Sequence, residues 1–322
     1  MYPLKFKRCL IKKIWGSRKF QDILNIKLPD KNLYGESWEV STHKQGISYI
    51  ENGLFKGKSL LTLIEQYREA ILGKEVIEKF EGKLPLLIKY LDINDKLSIQ
   101  VHPNDEYALQ VEGNLGKSEC WYIIDADDDA TIILGTKEGI SKEDFKEKIK
   151  NNDFSDVFRT IKVKKGDFIN IYPGTIHATL KGSFLIYEVN QNSDLTYRIY
   201  DFNRLVDGKL RELHINKALD VINFNSIPLI STIENRKKLF LTGAFKEELV
   251  RGKYFNVDKY TITHKFHDEI NKNFKIYSII NGKGTITCNK KEYLAVKGDT
   301  YFIPAGLKIT LKGNFEILKS FI

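Results

Sequence analysis

From Ser231 onward the chain breaks into short runs of β-branched and aromatic residues separated by turn residues. Phe255–Thr263, Phe274–Ile280, Gly284–Cys288, Asp299–Ile303, Leu307–Leu311 and Phe315–Phe321 read as strands, with turns marked by Asn281-Gly282, Lys297-Gly298 and Ala305-Gly306. The same pattern occurs earlier. Thr160–Lys164 alternates strictly, turns at Lys165-Gly166-Asp167, and continues as Phe168–Tyr172 before Pro173-Gly174. Many short strands at such spacing bury their apolar faces only by closing into a sandwich or a small barrel.

Helices are additions to this β framework. Leu60, Leu61, Leu63, Ile64, Tyr67, Ile71 and Leu72 recur at helical spacing after Ser59, followed by Val76, Ile77 and Phe80. A helical insertion is therefore expected over about residues 59–92. Ser141 with Asp144 forms a capping-box-like start for a second helix ending near Asn151-Asn152, and a third is expected over Ile215–Phe224. The chain divides near residue 230 into a β unit with helical additions, 1–230, and a smaller all-β unit, 231–322.

Composition narrows the function classes. The apolar set is 42% of 322 residues, enough for a sizeable core, which sets aside disordered and fibrous classes. The longest uninterrupted apolar run, Cys120–Ile124, is far shorter than the roughly 18–20 residues of a membrane helix. No apolar segment follows the charged start at Met1–Arg8, so no secretory signal is read there. Cys9, Cys120 and Cys288 form no CxxC and cannot all pair, which fits reduced thiols and a cytoplasmic protein. The net charge of +9 is spread as lysines beside Glu and Asp, without a basic block or a recognition motif. Neither a nucleic acid nor a membrane is an expected partner, whereas a small anionic substrate is compatible with the charge. The oligomeric state is left open, a monomer included.

The chemistry gathers in three places. In Leu97–Asp105, alternation puts Ser98, Gln100 and His102 on one face, so an amide oxygen and an imidazole can aim at one point. Gly166–His177 delivers a second histidine just past a glycine turn. Between them lies Gly116–Trp121, with Lys117 and Glu119 on one side of an extended segment. Two histidines, a carboxylate and an amide oxygen form a mixed N/O set suited to Zn²⁺, with Fe²⁺ or Mn²⁺ as other options. The absence of a thiolate marks a catalytic rather than a structural centre. Two decoys fall away. Gly116-Lys117-Ser118 lacks the first glycine of a phosphate loop, Val111 standing there, and Asp125–Asp129 lacks the glycine and glutamate of a calcium loop, Ala130 and Thr136 standing instead.

The turn-strand-turn-His pattern resembles the second motif of the cupin barrel, and the specific strings resemble the type I mannose-6-phosphate isomerases in their short bacterial form. Ile14-Trp15-Gly16, Gly35–Ser41, Leu97–Asp105, Gly116–Trp121, Pro173–His177 and Asn192–Asp201 occur in the family's order. Ser17 replaces a second glycine common in relatives, and the large helical domain of the fungal forms is missing. The resemblance implies a mainly β protein: a cupin catalytic barrel with helical additions, plus a second, degenerate cupin barrel. It implies one zinc ion per chain on Gln100, His102, Glu119 and His177. Arg198 is implied in catalysis, and Lys117 and Glu188 fall on active-site positions, either one a candidate base. The reaction implied is aldose–ketose isomerisation of mannose 6-phosphate through an enediol(ate), and the alternative is a non-catalytic sugar-binding or regulatory cupin. Asn192–Asp201 is expected as a loop at the barrel mouth. Arg204 is read as a surface ion-pair partner, with a second phosphate contact as the alternative. In the second barrel, Gly298–Ile309 repeats the turn-strand-turn pattern with Ile309 in the place of His177, so that barrel is expected to serve packing, with His264 and His267 solvated.

Overall fold

Leu86–Ile93, an eight-residue strand buried from end to end, is the spine of the molecule. The computed structural model describes residues 1–226, 228–270 and 272–322. Leu86–Ile93 lies in a seven-stranded antiparallel sheet in the order Leu229–Ser231, Phe168–Ile171, Glu119–Ala126, Phe184–Gln191, Leu86–Ile93, Glu36–Val40 and Cys9–Ile11. A five-stranded sheet faces it, in the order Tyr197–Tyr200, Ile99–Val101, His177–Lys181, Thr131–Thr136 and Phe158–Lys162. Leu91, Ile93, Trp121, Ile123, Ile169, Phe184 and Ile186 pack with Ile132 and Leu134 between the sheets, which makes the first cupin barrel.

The seven-stranded sheet is covered on its other face too. Leu86, Ile88, Tyr90, Cys120, Tyr122, Leu185 and Tyr187 point away from the barrel into a second core shared with Leu249, Phe255, Ile276, Phe302 and Leu318. Burial on both faces explains why 86–93, expected inside the helical insertion, is a strand: an apolar run without alternation suits a strand covered on both sides. The helical part ends earlier and is not continuous. Leu60–Tyr67, Glu69–Leu72 and Lys74–Lys79 are separate turns, broken at Arg68 (φ 32°) and Gly73 (φ 92°). The helix Lys142–Lys150 starts with the Ser141–Asp144 capping box, and Ile215–Val221 stops short of Phe224. Both cover the outer face of the five-stranded sheet through Phe145, Ala218 and Leu219.

The second barrel is a ten-stranded sheet rolled around Ile262, Tyr277, Ile279, Ile286, Ile303, Leu311 and Phe315. It takes in Leu4–Lys7, which pairs with Thr300–Ile303, and through it Tyr49–Ile50. Asn281-Gly282, read as a turn, instead lies within one long strand, Lys275–Cys288, as an irregularity in its pairing with Ile309–Phe321. Gly282 takes φ 75°, and a Cβ there would stand 2.3 Å from the Asn314 carbonyl oxygen, so glycine is required by the close approach of the partner strand. The stretches 309–311 and 315–321 likewise belong to one strand, Ile309–Phe321, with Leu307 and Lys308 ahead of it. Ile309 is buried in this core, and His264 and His267 are exposed. No helix among the described residues is long and apolar enough to cross a membrane.

Candidate active site

Strand parity explains where the polar groups go. Glu119 shares the inward face with Trp121 and Ile123, Glu188 with Phe184 and Ile186, and Lys89 with Leu91 and Ile93. One end of the first barrel is therefore packed with apolar side chains, and the other end is lined with charges.

His102 follows the strand Ile99–Val101, and His177 begins His177–Lys181. The Gly174 amide donates to the His102 carbonyl (2.9 Å), tying together the turns that carry the two histidines. Their rings lie 4.8 Å apart, and the Trp121 ring meets His177 edge-on at 5.5 Å. His102 Nδ1 faces the Leu195 carbonyl (2.7 Å) and His177 Nδ1 the Thr175 carbonyl (3.0 Å). A carbonyl only accepts, so each Nδ1 carries the proton and each Nε2 presents a lone pair. Both lone pairs are directed at Glu119. Ligand atoms of His102, Glu119 and His177 lie within 4.8 Å of one another, all three residues buried.

These groups fit a metal. Glu119 Oε1 and His177 Nε2 are buried without hydrogen-bond partners although 3.1 Å apart, an arrangement that costs free energy unless something accepts both lone pairs. Burial, reinforced by the Lys117 ammonium, pushes His102 down to about 3, so it is a neutral imidazole at physiological pH. Burial alone would raise Glu119, but the Lys117 ammonium and the two histidines outweigh it and hold the carboxylate ionised. Lys117 Nζ donates to Glu119 Oε2 and lies 3.2 Å from His102 Nε2. Burial opposes its charge too, yet Glu119 and Glu188 keep it an ammonium.

Gln100 stands in register with His177 on one side and Arg198 on the other. Gln100, Lys117, Glu119, Glu188 and Arg198 line one cavity of about 130 Å³. Glu188 accepts from Trp121 Nε1 (3.1 Å) and Asn190 Nδ2 (2.9 Å). Arg198 lies on the strand Tyr197–Tyr200, where a loop was expected. Tyr197 and Ile199 alternate into the core under the helix Ile215–Val221, and Arg198 takes the opposite face. Its Nη1 donates to the Glu212 carbonyl (2.7 Å), and its buried Nε has no partner. Arg204 is held by Asp201 and Asp95, as an ion-pair partner.

Four charged cavity residues were not among the expected site residues: Lys13, Glu36, Lys89 and Arg211. Lys89 lies between Glu188 (3.6 Å) and Glu36 (3.9 Å), over the Trp38 ring. Burial would raise Glu36, but Lys89 and Lys13 outweigh it and bring it down to about 2. A signal was available: Lys89 is the lone cation in the apolar run Leu86–Leu91, where an unpaired charge is too costly to bury.

Known proteins share this architecture. The family model for the phosphomannose isomerase type I catalytic domain matches residues 4–128, and that for the mannose-6-phosphate isomerase cupin domain matches 246–322. The chain is 38% identical to mannose-6-phosphate isomerase ManA of Bacillus subtilis over 99% of this chain and 98% of that protein. It is also 38% identical to a mannose-6-phosphate isomerase of Streptococcus mutans, with 99% and 98% covered. The crystal structure of the mannose 6-phosphate isomerase from Bacillus subtilis superposes with a TM-score of 0.90 at 36% identity, over the whole of both chains.

Proposed function

Because the chain belongs to the type I phosphomannose isomerase family, we propose that it interconverts mannose 6-phosphate and fructose 6-phosphate with one zinc ion per chain. The observation that carries this reading is the convergence of two Nε2 lone pairs on Glu119, with Glu119 Oε1 and His177 Nε2 left unpartnered. His102, Glu119 and His177 would hold the metal, with the Gln100 amide oxygen as a fourth ligand. Neutral imidazole with carboxylate and amide oxygen suits zinc in a centre with room for substrate. Bound there, zinc would supply a Lewis acid for the sugar carbonyl and its developing oxyanion.

The chain's own side chains account for the rest. Aldose–ketose isomerisation moves a proton between C2 and C1 and exchanges which sugar oxygen carries hydrogen. Glu188, fixed by Trp121 and Asn190, acts as the carboxylate that moves the carbon-bound proton between C2 and C1, and the Lys117 ammonium gives a proton to the carbonyl oxygen and takes one back from the neighbouring hydroxyl as that becomes the new carbonyl. Positioned proton transfer of this kind contributes roughly 10²–10⁴-fold. The Arg198 guanidinium, with its free Nε, binds phosphate or oxyanion oxygens. The free thiols of Cys9, Cys120 and Cys288 support a cytoplasmic setting for this activity.

A coupled assay on mannose 6-phosphate tests the reading. Activity is expected to vanish with a chelator and to return on adding Zn²⁺. Zinc-loaded protein that turns over neither sugar phosphate overturns it and leaves a binding cupin.

A further inference from the structure

Residues 115–118, just ahead of Glu119, lie outside helix and strand, yet all four of their backbone amides and the Leu115 and Ser118 carbonyls are held. Ser193 Oγ donates to the Leu115 carbonyl (2.9 Å), and the Lys117 amide donates to the Pro103 carbonyl (3.0 Å). The Gln191 amide donates to the Ser118 carbonyl (3.1 Å). Two further bonds come from side chains: Gly116 N–H donates to Asp105 Oδ1 (3.0 Å), and Ser118 N–H donates to Gln191 Oε1 (2.8 Å). Gln191 Nε2 donates to the same Asp105 oxygen (2.9 Å), so one carboxylate fixes the contacts to both the Gly116 and the Ser118 amides. The fit has no slack, since a Cβ on Gly116 would lie 2.4 Å from the Asn104 carbonyl carbon.

The other oxygen of Asp105 is taken from the second barrel. Tyr254, in the connection between Ala244–Arg251 and Asn256–Ile262, donates its hydroxyl to Asp105 Oδ2 (2.5 Å). Lys253 Nζ donates in turn to the Tyr254 oxygen (3.0 Å). Neither Tyr254 nor Asp105 lines the cavity that holds Lys117 and Glu119. A hydrogen bond to an ionised carboxylate is stronger than a neutral one and directional, so the hydroxyl sets where the Asp105 carboxylate points.

We propose that Tyr254 of the second barrel is a positioning residue for the isomerisation, fixing Lys117 and Glu119 through Asp105 and Gln191. The second barrel then contributes to catalysis without lending a residue to the cavity. This rests on the roles proposed above for Lys117 and Glu119.

Tyr254→Phe tests it with two readouts. Turnover is expected to fall about tenfold, the scale of one lost hydrogen bond to a charged group, with KM within about twofold. Hydrogen exchange of the Gly116 and Ser118 amides is expected to speed up by a similar factor. Tyr187→Phe is the control. It removes another hydroxyl contact between the barrels, to Ser320 Oγ (2.9 Å), off this chain of bonds, and should move neither readout. Adding Asp105→Asn to Tyr254→Phe should lower kcat less than the product of the two separate effects. Unchanged kcat in Tyr254→Phe overturns the proposal, as does an equal loss in Tyr187→Phe, which would reduce the effect to general packing between barrels. Should the wild-type protein prove inactive, the proposed reaction fails, and unchanged amide exchange in Tyr254→Phe would separately overturn the positioning role.

Discussion

Each barrel buries a carboxylate beside a lysine ammonium, and the two sites differ in what is left over. In the first, Lys117 meets one oxygen of Glu119, while Oε1 and the facing His177 Nε2 stay unpaired beside a cavity. In the second, Asp268 Oδ1 takes Lys319 (3.0 Å), and Oδ2 takes Lys275 (2.5 Å), Lys319 (3.2 Å) and the Tyr277 hydroxyl. Lys275 also donates to the Glu269 carbonyl (2.8 Å). Burial would raise Asp268, but the two ammoniums outweigh it. Lys275, penalised by burial and then by Lys319, comes down to about 8. A buried charge pair is thus not in itself a site. What distinguishes the first barrel is two facing lone pairs with nothing to accept them, Glu119 Oε1 and His177 Nε2, whereas the second has saturated Asp268 from within and put Ile309 where the first has His177.

Removing a ligand from the first barrel should produce the largest effect. His177→Ala is expected to lower kcat/KM by about 10³-fold or more, beyond the cost of one transition-state hydrogen-bond donor. Elemental analysis should show zinc lost with it, while the melting temperature changes little. Full zinc content in this variant would mean that the two barrels do not differ in the way argued above.

The matching change in the second barrel should act on stability alone. Asp268→Asn leaves two ammoniums buried without their carboxylate, at a cost of about 3 kcal/mol or more. Urea denaturation should show that loss, with kcat of the folded fraction and its zinc content unchanged. A loss of zinc on this substitution would show that the second barrel also binds metal.

Arg198→Lys should come next. A lysine keeps the charge but not the fork geometry, so kcat/KM is expected to fall about 10²-fold with zinc content intact. A rise in KM with kcat unchanged would assign the guanidinium to uniform binding. No change in either would remove Arg198 from the chemistry.

How far the sequence could be read follows from the same physics. The turn-strand-turn rhythm and the strand parity of Gln100 and His102 depend on neighbours two residues apart, and both are found in the fold. The capping box at Ser141 is local and is also present. Leu86–Ile93 was misplaced because burial on both faces erases alternation, and that burial comes from the second barrel, distant in sequence. Asn281-Gly282 is a turn signal that pairing with Ile309–Phe321 turned into an irregularity inside a strand. The cavity cations Lys13 and Arg211 lie in connections, past the strands Cys9–Ile11 and Lys209–Leu210, and are brought to the cavity by the packing of segments distant in sequence, which one sequence does not display.

A third buried carboxylate, Asp92, sharpens the comparison because no ammonium lies against it. It accepts from Ser17 Oγ (2.5 Å) and the Phe20 amide (3.2 Å) at the end of Leu86–Ile93. Burial, only partly offset by these bonds, raises it from 3.8 to about 6. The native state therefore binds this proton more tightly than the unfolded chain does. The resulting stability is fully present below the unfolded value and is lost as the pH rises through about 6. Asp268, held down by two ammoniums, acts in the opposite sense: its contribution is present at neutral pH and is lost on acidification through its lowered value. Going from pH 7 to pH 5, the Asp92 contribution alone should stabilise the fold by about 1 kcal/mol. Asp92→Asn removes that gain, so urea denaturation of wild type and variant at the two pH values should differ in slope by that amount. Parallel slopes would mean that Asp92 is ionised in the native state over this range, and that a buried carboxylate here is tolerated without a cation.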